Sequence, residues 1–200
     1  MKVLVACEYS GVVRDAFIKR GHDALSCDLL PTESPGPHYQ GDVLDIINTE
    51  KWDLMIAHPP CTHIAVSGAA WFAEKRQDGR QQEAIEFFMA LANTDIPKTC
   101  IENPVCIMSS VWRKPDQYIQ PYEYGHMEQK KTGLWLTNLP KLMSTNNVYD
   151  EMLSLPKNQR ERLHYLPPGP ERAKIRSKTF QGIADAMAEQ WGCLLKSQGV

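Results

Sequence analysis

The sequence contains no Cys-x-x-Cys pair, although it holds six cysteines: Cys7, Cys27, Cys61, Cys100, Cys106 and Cys193. That scatter excludes a zinc ribbon and a disulfide-stapled scaffold, and the thiols are expected to be free. No apolar run approaches the ~18 residues of a membrane span, and Val3-Leu4-Val5-Ala6 is interrupted by Glu8 too soon for a secretory signal. No membrane partner and a cytoplasmic address are therefore expected. Internal repeats, low-complexity tracts and a large net charge are also missing. With 200 residues, 42% of them hydrophobic, and a formal charge of -2, the composition is that of one globular domain, not of a disordered tail, a collagen or a coiled coil.

The small net charge conceals an asymmetry. Residues 1–104 carry nine Lys+Arg against fifteen Asp+Glu, and residues 105–200 carry thirteen against nine. In the second half Lys157, Arg160, Arg162, Arg172, Lys174, Arg176 and Lys178 face only Glu161 and Glu171. An acidic chain with one local basic stretch suits a small anionic ligand better than a long phosphate backbone, whose binding needs many neutralising contacts.

Lys2–Ala6 reads as a short strand, Glu8-Tyr9-Ser10-Gly11 as a turn, and Val12–Lys19 as a helix with Val12, Val13, Ala16 and Phe17 on one stripe, closed by Gly21. Ala24–Asp28 is a second strand, and Pro31–Gln40 a loop. This strand-helix-strand unit predicts an α/β fold with a mostly parallel, doubly wound sheet. Further strands are expected at Trp52–Ala57, Lys98–Glu102 and Thr132–Leu136, with helices at about Gln82–Ala92 and Ile183–Leu195. Thr137–Lys178 shows no periodicity. Ligands of such sheets bind beyond the carboxyl ends of the strands, which directs attention to His58-Pro59-Pro60-Cys61 and Glu102-Asn103-Pro104.

Two prolines before Cys61 restrict the backbone and fix where the sulfur points, as a nucleophile requires; a small buried hydrophobe beside a turn is the other reading of the same residue. Glu102 is either a carboxyl sharing the Cys61 pocket and poised to donate a proton, or an ordinary helix-start or surface carboxylate. A metal cluster of His58, Cys61 and His63 is disfavoured, because a proline-fixed turn presents three ligands awkwardly and no fourth lies nearby. The zinc-deaminase signature is absent.

Taken in order, these segments resemble the S-adenosylmethionine-dependent cytosine-5 methyltransferases, most closely their short phage-type members. Ala6-Cys7-Glu8-Tyr9-Ser10-Gly11 matches the opening strand and turn, without the usual Phe and repeated Gly. Asp28 stands where the family holds the cofactor ribose, and Gly41-Asp42-Val43 where Asp approaches the adenine. Pro59-Pro60-Cys61 through Gly68 corresponds to PPCQxFSxxG, and Glu102-Asn103-Pro104 to Glu-Asn-Val. Tyr124–Thr132 keeps only the Gly of FGVPQxRxR and places Lys130 where the first Arg would be, and Thr179-Phe180-Gln181-Gly182 approximates the last motif. The resemblance covers roughly residues 1–136 and 176–195.

It implies a Rossmann-like class I methyltransferase domain over 1–200, with a core at 1–136, a short irregular insert at 137–178 and a closing helix within 179–200. Glu8, Tyr9, Ser10, Gly11, Asp28, Leu29, Asp42, Val43, His58 and Pro59 would line the S-adenosylmethionine site, with S-adenosylhomocysteine as product and no metal. Cys61 would add to carbon 6 of cytosine, making carbon 5 nucleophilic, with Glu102 on ring nitrogen 3 and the exocyclic amine and Asn103 orienting the loop. Pro60, Ser67, Lys130 and Thr132 would contact the substrate, Lys130 at the base carbonyl or the phosphate. DNA-modifying members carry a large recognition region where this chain has only Thr137–Lys178, so a cytosine nucleotide such as (d)CMP is the expected substrate, its phosphate bound by Arg172, Lys174, Arg176 or Lys178. Cytosine in single-stranded or loosely specified DNA, and a non-catalytic nucleotide- or DNA-binding relic, are the alternatives. A homodimer is one way for so short a chain to complete its pocket.

Overall fold

Val3, Leu4, Val5 and Ala6 are all fully buried, as in a strand covered on both faces, and they form the central strand β1 (Lys2–Ala6) of the computed structural model, which describes residues 1–193. In chain order there follow α1 (Val12–Lys19), β2 (Asp23–Asp28), β3 (His38–Gln40), α2 (Val43–Ile46), β4 (Leu54–Ala57), α3 (Phe72–Gln77), α4 (Arg80–Ala92), β5 (Thr99–Pro104), α5 (Met108–Val111), β6 (Gln117–Ile119) and β7 (Thr132–Thr137). The chain closes with α6 (Tyr149–Leu153), α7 (Lys157–Arg160), α8 (Arg162–Tyr165), α9 (Pro170–Ser177) and α10 (Gln181–Gly192). Short 3-10 turns occupy Val66–Trp71 and Pro121–Glu123.

One seven-stranded sheet has the order β3-β2-β1-β4-β5-β7-β6, with β7 antiparallel to both neighbours and every other pair parallel. This is the doubly wound, Rossmann-like α/β architecture expected. Alternate residues of the strands feed two cores. Val3, Val5, Leu54 and Ile56 pack under α1 and α10 against Phe17, Met187 and Trp191. Leu4, Ala6 and Met55 face the opposite layer, where Phe88 of α4 meets Trp135 of β7 edge-on at 5.2 Å.

Several expectations need correction. The loop expected at Pro31–Gln40 contains β3, and β6 also escaped notice; both are three-residue strands at the sheet's edges, too short to show alternation. The stretch read as an irregular insert carries α6 to α9, helices of four to eight residues that complete too few turns to display a stripe. The last helix ends at Gly192, and the remainder of the expected closing segment, from 194 on, lies outside the described residues. Among the described residues no helix is long and apolar enough to cross a membrane.

Candidate active site

The turn after β4 is clamped along its whole length. His58 N donates to Ala6 O at 2.9 Å, which keeps the start of the turn on β1. Asn103, buried on β5, donates from Nδ2 to Pro59 O at 2.8 Å. Beyond Cys61, the buried Lys75 donates to Thr62 O (2.7 Å), Gln81 to His63 O (3.2 Å), and Ile107 N to Ile64 O (3.0 Å). Cys61 O itself accepts from Ile64 N and Ala65 N. The sulfur thus sits on a rigid turn, half-buried at the carboxyl edge of the sheet. Lys75 and Gln81 were not anticipated, because their sequence positions are those of ordinary helix surface residues.

Glu102 approaches the same place from β5. In the antiparallel pairing of β5 with β7, Leu134 stands opposite Glu102 and Thr132 opposite Pro104, so the residues entering β7 reach this edge too. His58 Nδ1 lies 3.4 Å from Glu102 Oε2, with side chains 8% and 14% exposed, and Thr132, whose hydroxyl donates to Lys130 O at 3.1 Å, stands close enough to favour the charged carboxyl. Burial pushes the Glu102 carboxyl up, but the charge of Lys130 and the neighbouring His58 and Thr132 outweigh it and hold the group below its ordinary range. For Cys61 the balance is reversed. Burial pushes the thiol up, the Glu102 carboxylate adds to that, and Lys130 and Arg176 pull it only part of the way back. Cys61, Glu102, Lys130 and Arg176 therefore form one electrostatic cluster, with His58, Asn103 and Thr132 in support. His58 belongs to this cluster, where the sequence reading had set it beside the cofactor.

The second half of the edge is acidic. β1 runs into Cys7, which takes the left-handed conformation at φ 58°. Glu8 is buried and caps α1, accepting from Val13 N (2.7 Å) and Arg14 N (3.2 Å) as well as from Ser10 Oγ (3.2 Å). Its carboxylate thus serves the helix, and Gly11 leaves room for the Arg14 guanidinium. Asp28, at the end of β2, accepts from Leu30 N through Oδ1, and Asp42 caps α2 by accepting from Leu44 N. Burial and these two carboxylates push the Cys7 thiol up, and Cys27 is likewise pushed up to about 12. Asp28 and Asp42 each keep an oxygen with no partner among the described residues, next to Leu29, which is 72% exposed. A pair of carboxylates beside an apolar side chain fits a cationic ligand bearing hydroxyls and an aromatic ring. Val43, in contrast, is buried in the core.

The basic stretch is not one surface. Arg172 donates to the backbone carbonyls of Leu166 and His164. Lys174 and Lys178 both pair with Glu33, at 3.3 and 2.5 Å. Of Arg172, Lys174, Arg176 and Lys178, Arg176 alone is left without a side-chain hydrogen bond or ion pair among the described residues, and it is the one whose charge reaches Cys61. Tyr9 faces this stretch: its hydroxyl donates to Lys174 O at 2.6 Å. Pro60 and Ser67 are exposed, Ser67 on the turn that follows the Cys61 loop. The Tyr124–Thr132 and Thr179–Gly182 segments meet: Gly182 N donates to His126 Nε2 (2.9 Å), and Gly182 abuts Tyr124 O closely enough to leave no room for a Cβ. Among the described residues no three His, Cys, Asp or Glu side chains are placed to hold a metal ion.

Fold and site together define a Rossmann-like α/β protein with a thiol–carboxyl–cation cluster at one half of the sheet's carboxyl edge and a carboxylate pair at the other. No family model matches the chain, and no curated protein does. Among solved structures it is similar to a putative DNA modification methyltransferase encoded within an E. coli prophage, with 17% identity, a TM-score of 0.47, and coverage of 78% of this chain and 56% of that one. It is also similar to the S. pombe Dnmt2 methyltransferase, with 13% identity, a TM-score of 0.44, and coverage of 96% and 65%. The chain spans less than two thirds of either protein.

Proposed function

We propose that this chain transfers a methyl group from S-adenosylmethionine to carbon 5 of cytosine in a free cytosine nucleotide such as (d)CMP. The observation that carries the reading is that the Cys61 turn after β4 is tied to the end of β5 on both sides of the thiol's prolines, by Asn103 Nδ2 to Pro59 O (2.8 Å) and by His58 Nδ1 beside Glu102 Oε2 (3.4 Å), with Glu102, Lys130 and Arg176 acting on the thiol. When a substrate phosphate pairs with Lys130 and Arg176, the charge that holds Glu102 below its ordinary range is neutralised, and the buried carboxylate becomes the base that takes the thiol proton. Once protonated, Glu102 stops opposing the thiolate and becomes a donor to ring nitrogen 3. The sulfur then adds to carbon 6, the ring electrons pass toward nitrogen 3, and carbon 5 becomes enamine-like. S-adenosylmethionine, when bound, supplies the electrophilic methyl group, and Asp28 and Asp42 would hold its cationic, hydroxyl-bearing body. Loss of the carbon 5 proton to water returns the electrons and expels the Cys61 thiolate, and the nitrogen 3 proton passes back through Glu102 to the sulfur, which regenerates the thiol. His58 and Thr132 orient the carboxyl, and Asn103 holds the proline turn.

Arg176 and Lys130 come from different elements and converge on the cluster, enough charge for one phosphate monoester and not a track for a polynucleotide. The test is transfer of labelled methyl to dCMP, CMP, single-stranded and duplex DNA by wild type and Cys61→Ala. The expected result is transfer to a mononucleotide that Cys61→Ala abolishes. Methylation of duplex DNA with no activity on any mononucleotide overturns the substrate, full transfer by Cys61→Ala overturns the mechanism, and binding without transfer to any acceptor favours a non-catalytic relic.

A further inference from the structure

Helix α9 has an unusual attachment. None of residues 171–177 is buried, and among the described residues only Tyr9 and Glu33 join the 170–178 segment to the sheet by side-chain hydrogen bonds or ion pairs. Lys174 and Lys178, four residues apart, lie on one side and both reach the Glu33 carboxylate, which they hold below its ordinary range. Arg176, two residues from each, is turned roughly 200° around the helix from Lys174, away from Glu33, and its charge is felt at Cys61. Tyr9 secures the helix end. Its hydroxyl donates to Lys174 O (2.6 Å), a terminal carbonyl with no backbone partner in the helix that also accepts from Ser177 Oγ (2.9 Å), and lies 3.1 Å from that Oγ. Tyr9 and Glu33 act as one unit, because Glu33 N donates to Tyr9 O at 2.9 Å. The loop carrying Glu33 is in turn pinned by buried Arg14, which donates to Ser34 O at 3.0 Å and to Thr32 Oγ1 at 3.3 Å.

We infer that Glu33, together with Tyr9, is a positioning residue that fixes α9 so that Arg176 meets the substrate's phosphate, and thereby sets the preference for a cytosine monophosphate over the bare nucleoside. The inference rests on the proposed function. Glu33 touches neither base nor phosphate; it occupies the two lysines that would otherwise compete with Arg176 for the anion, and it fixes the angle at which Arg176 is presented. With none of residues 171–177 buried, and no other side-chain tie to the sheet among the described residues, the helix loses that angle when Glu33 and Tyr9 no longer hold it.

The experiment measures kcat/KM for dCMP and for deoxycytidine in wild type, Glu33→Gln, Tyr9→Phe, Arg176→Ala and the Glu33→Gln/Arg176→Ala double variant. Their ratio does not depend on the fraction of folded enzyme. The wild type is expected to prefer dCMP. Glu33→Gln should lower the ratio about tenfold, the size of one lost charge-assisted contact, with the loss in KM more than in kcat, and Tyr9→Phe should lower it in the same direction. The double variant should be no worse than Arg176→Ala alone, because both changes remove the same contact. A Glu33→Gln ratio within about twofold of wild type, multiplying losses in the double variant, or a wild type with no preference for dCMP overturns the inference. If the wild type transfers methyl to no cytosine compound at all, the proposed function itself fails and takes the inference with it; methylation with an unmoved ratio sinks the inference alone.

Discussion

Replacing Arg14 with Met should cost about 3 kcal/mol of stability, a large share of the roughly 10 kcal/mol typical of a domain. Arg14 is fully buried. Three of its bonds are short: Nε to Asp15 Oδ1 at 2.7 Å, one terminal nitrogen to Ser34 O at 3.0 Å and the other to Ser26 Oγ at 3.2 Å. Longer contacts reach Thr32 Oγ1 (3.3 Å), Pro35 O (3.4 Å) and Pro37 O (3.5 Å). Each charge-assisted bond is worth about 1.5 kcal/mol or more, but Asp15 is 43% exposed and rehydrates, and the Ser26 hydroxyl keeps His38 and the Pro37 carbonyl as partners. The carbonyl of Pro35 loses its one hydrogen-bond donor. Methionine fills much of the vacated space, so the cavity contribution stays small. With a urea slope of about 2–3 kcal/mol/M, the midpoint should fall by about 1–1.5 M. Arg14→Lys should fall between the two, since a single ammonium cannot span acceptors on both sides of the loop. The assay is equilibrium urea unfolding followed by tryptophan fluorescence, joined to hydrogen exchange over residues 29–37. A midpoint shift below about 0.3 M with unchanged exchange in that loop would refute the role assigned to Arg14.

Three further outcomes are expected. In peptide-resolved iodoacetamide labelling, the pH at which Cys61 becomes reactive should move down in Glu102→Gln, which removes a neighbouring negative charge, and up in Lys130→Ala and Arg176→Ala; unchanged profiles would contradict the cluster. Gly182→Ala should destabilise the protein by about 2–3 kcal/mol, measured by thermal or urea unfolding, because the added methyl group collides with the Tyr124 carbonyl and α10 must shift; a neutral effect would show that this contact is loose. Asp116 accepts from Leu136 N and Arg113 at 2.7 and 2.6 Å, and although burial pushes its carboxyl up, these bonds hold it below the ordinary 3.8. Its contribution is therefore present above about pH 4 and lost as pH falls further. Asp116→Asn should cost about 1 kcal/mol or less at pH 7, given its partial exposure, and the gap should close in acid; a gap that widens in acid would reverse the assigned sign.

The first strand and the first helix were legible to the residue. Val12–Lys19 is helical over the bounds its apolar stripe predicts, because a capped, Gly-terminated amphipathic segment has little alternative. The prolines and polar residues at the ends of β4 and β5 were legible as well, since strand ends in a parallel sheet leave few places for chemistry. What stayed hidden was burial of charge. Arg14 and Lys75 look like solvated helix positions, and nothing local distinguishes an arginine facing water from one that pins a loop of ten residues. Charge pairing was hidden for the same reason. Arg172, Lys174, Arg176 and Lys178 read as equivalent, and the structure separates them through Glu33, about 140 residues away in sequence. The helices α6 to α9 were hidden by brevity.

The reversed direction of β7 dictates a route. Its last residue, Thr137, pairs with Thr99, the first of β5, so the chain leaves the sheet at the end opposite Cys61, where Asn138 turns it at φ 51° and donates to Pro97 O at 2.8 Å. To bring α9 back beside Tyr9 the chain must retrace the length of the strand, roughly 20 Å. Residues 138–169 are that return path, tied down where Gly125 N donates to Asn146 O and Gln129 N to Arg160 O. They mark how far this scaffold can be shortened: a deletion there, however unpatterned the sequence looks, strands Arg176 at the wrong end of the sheet.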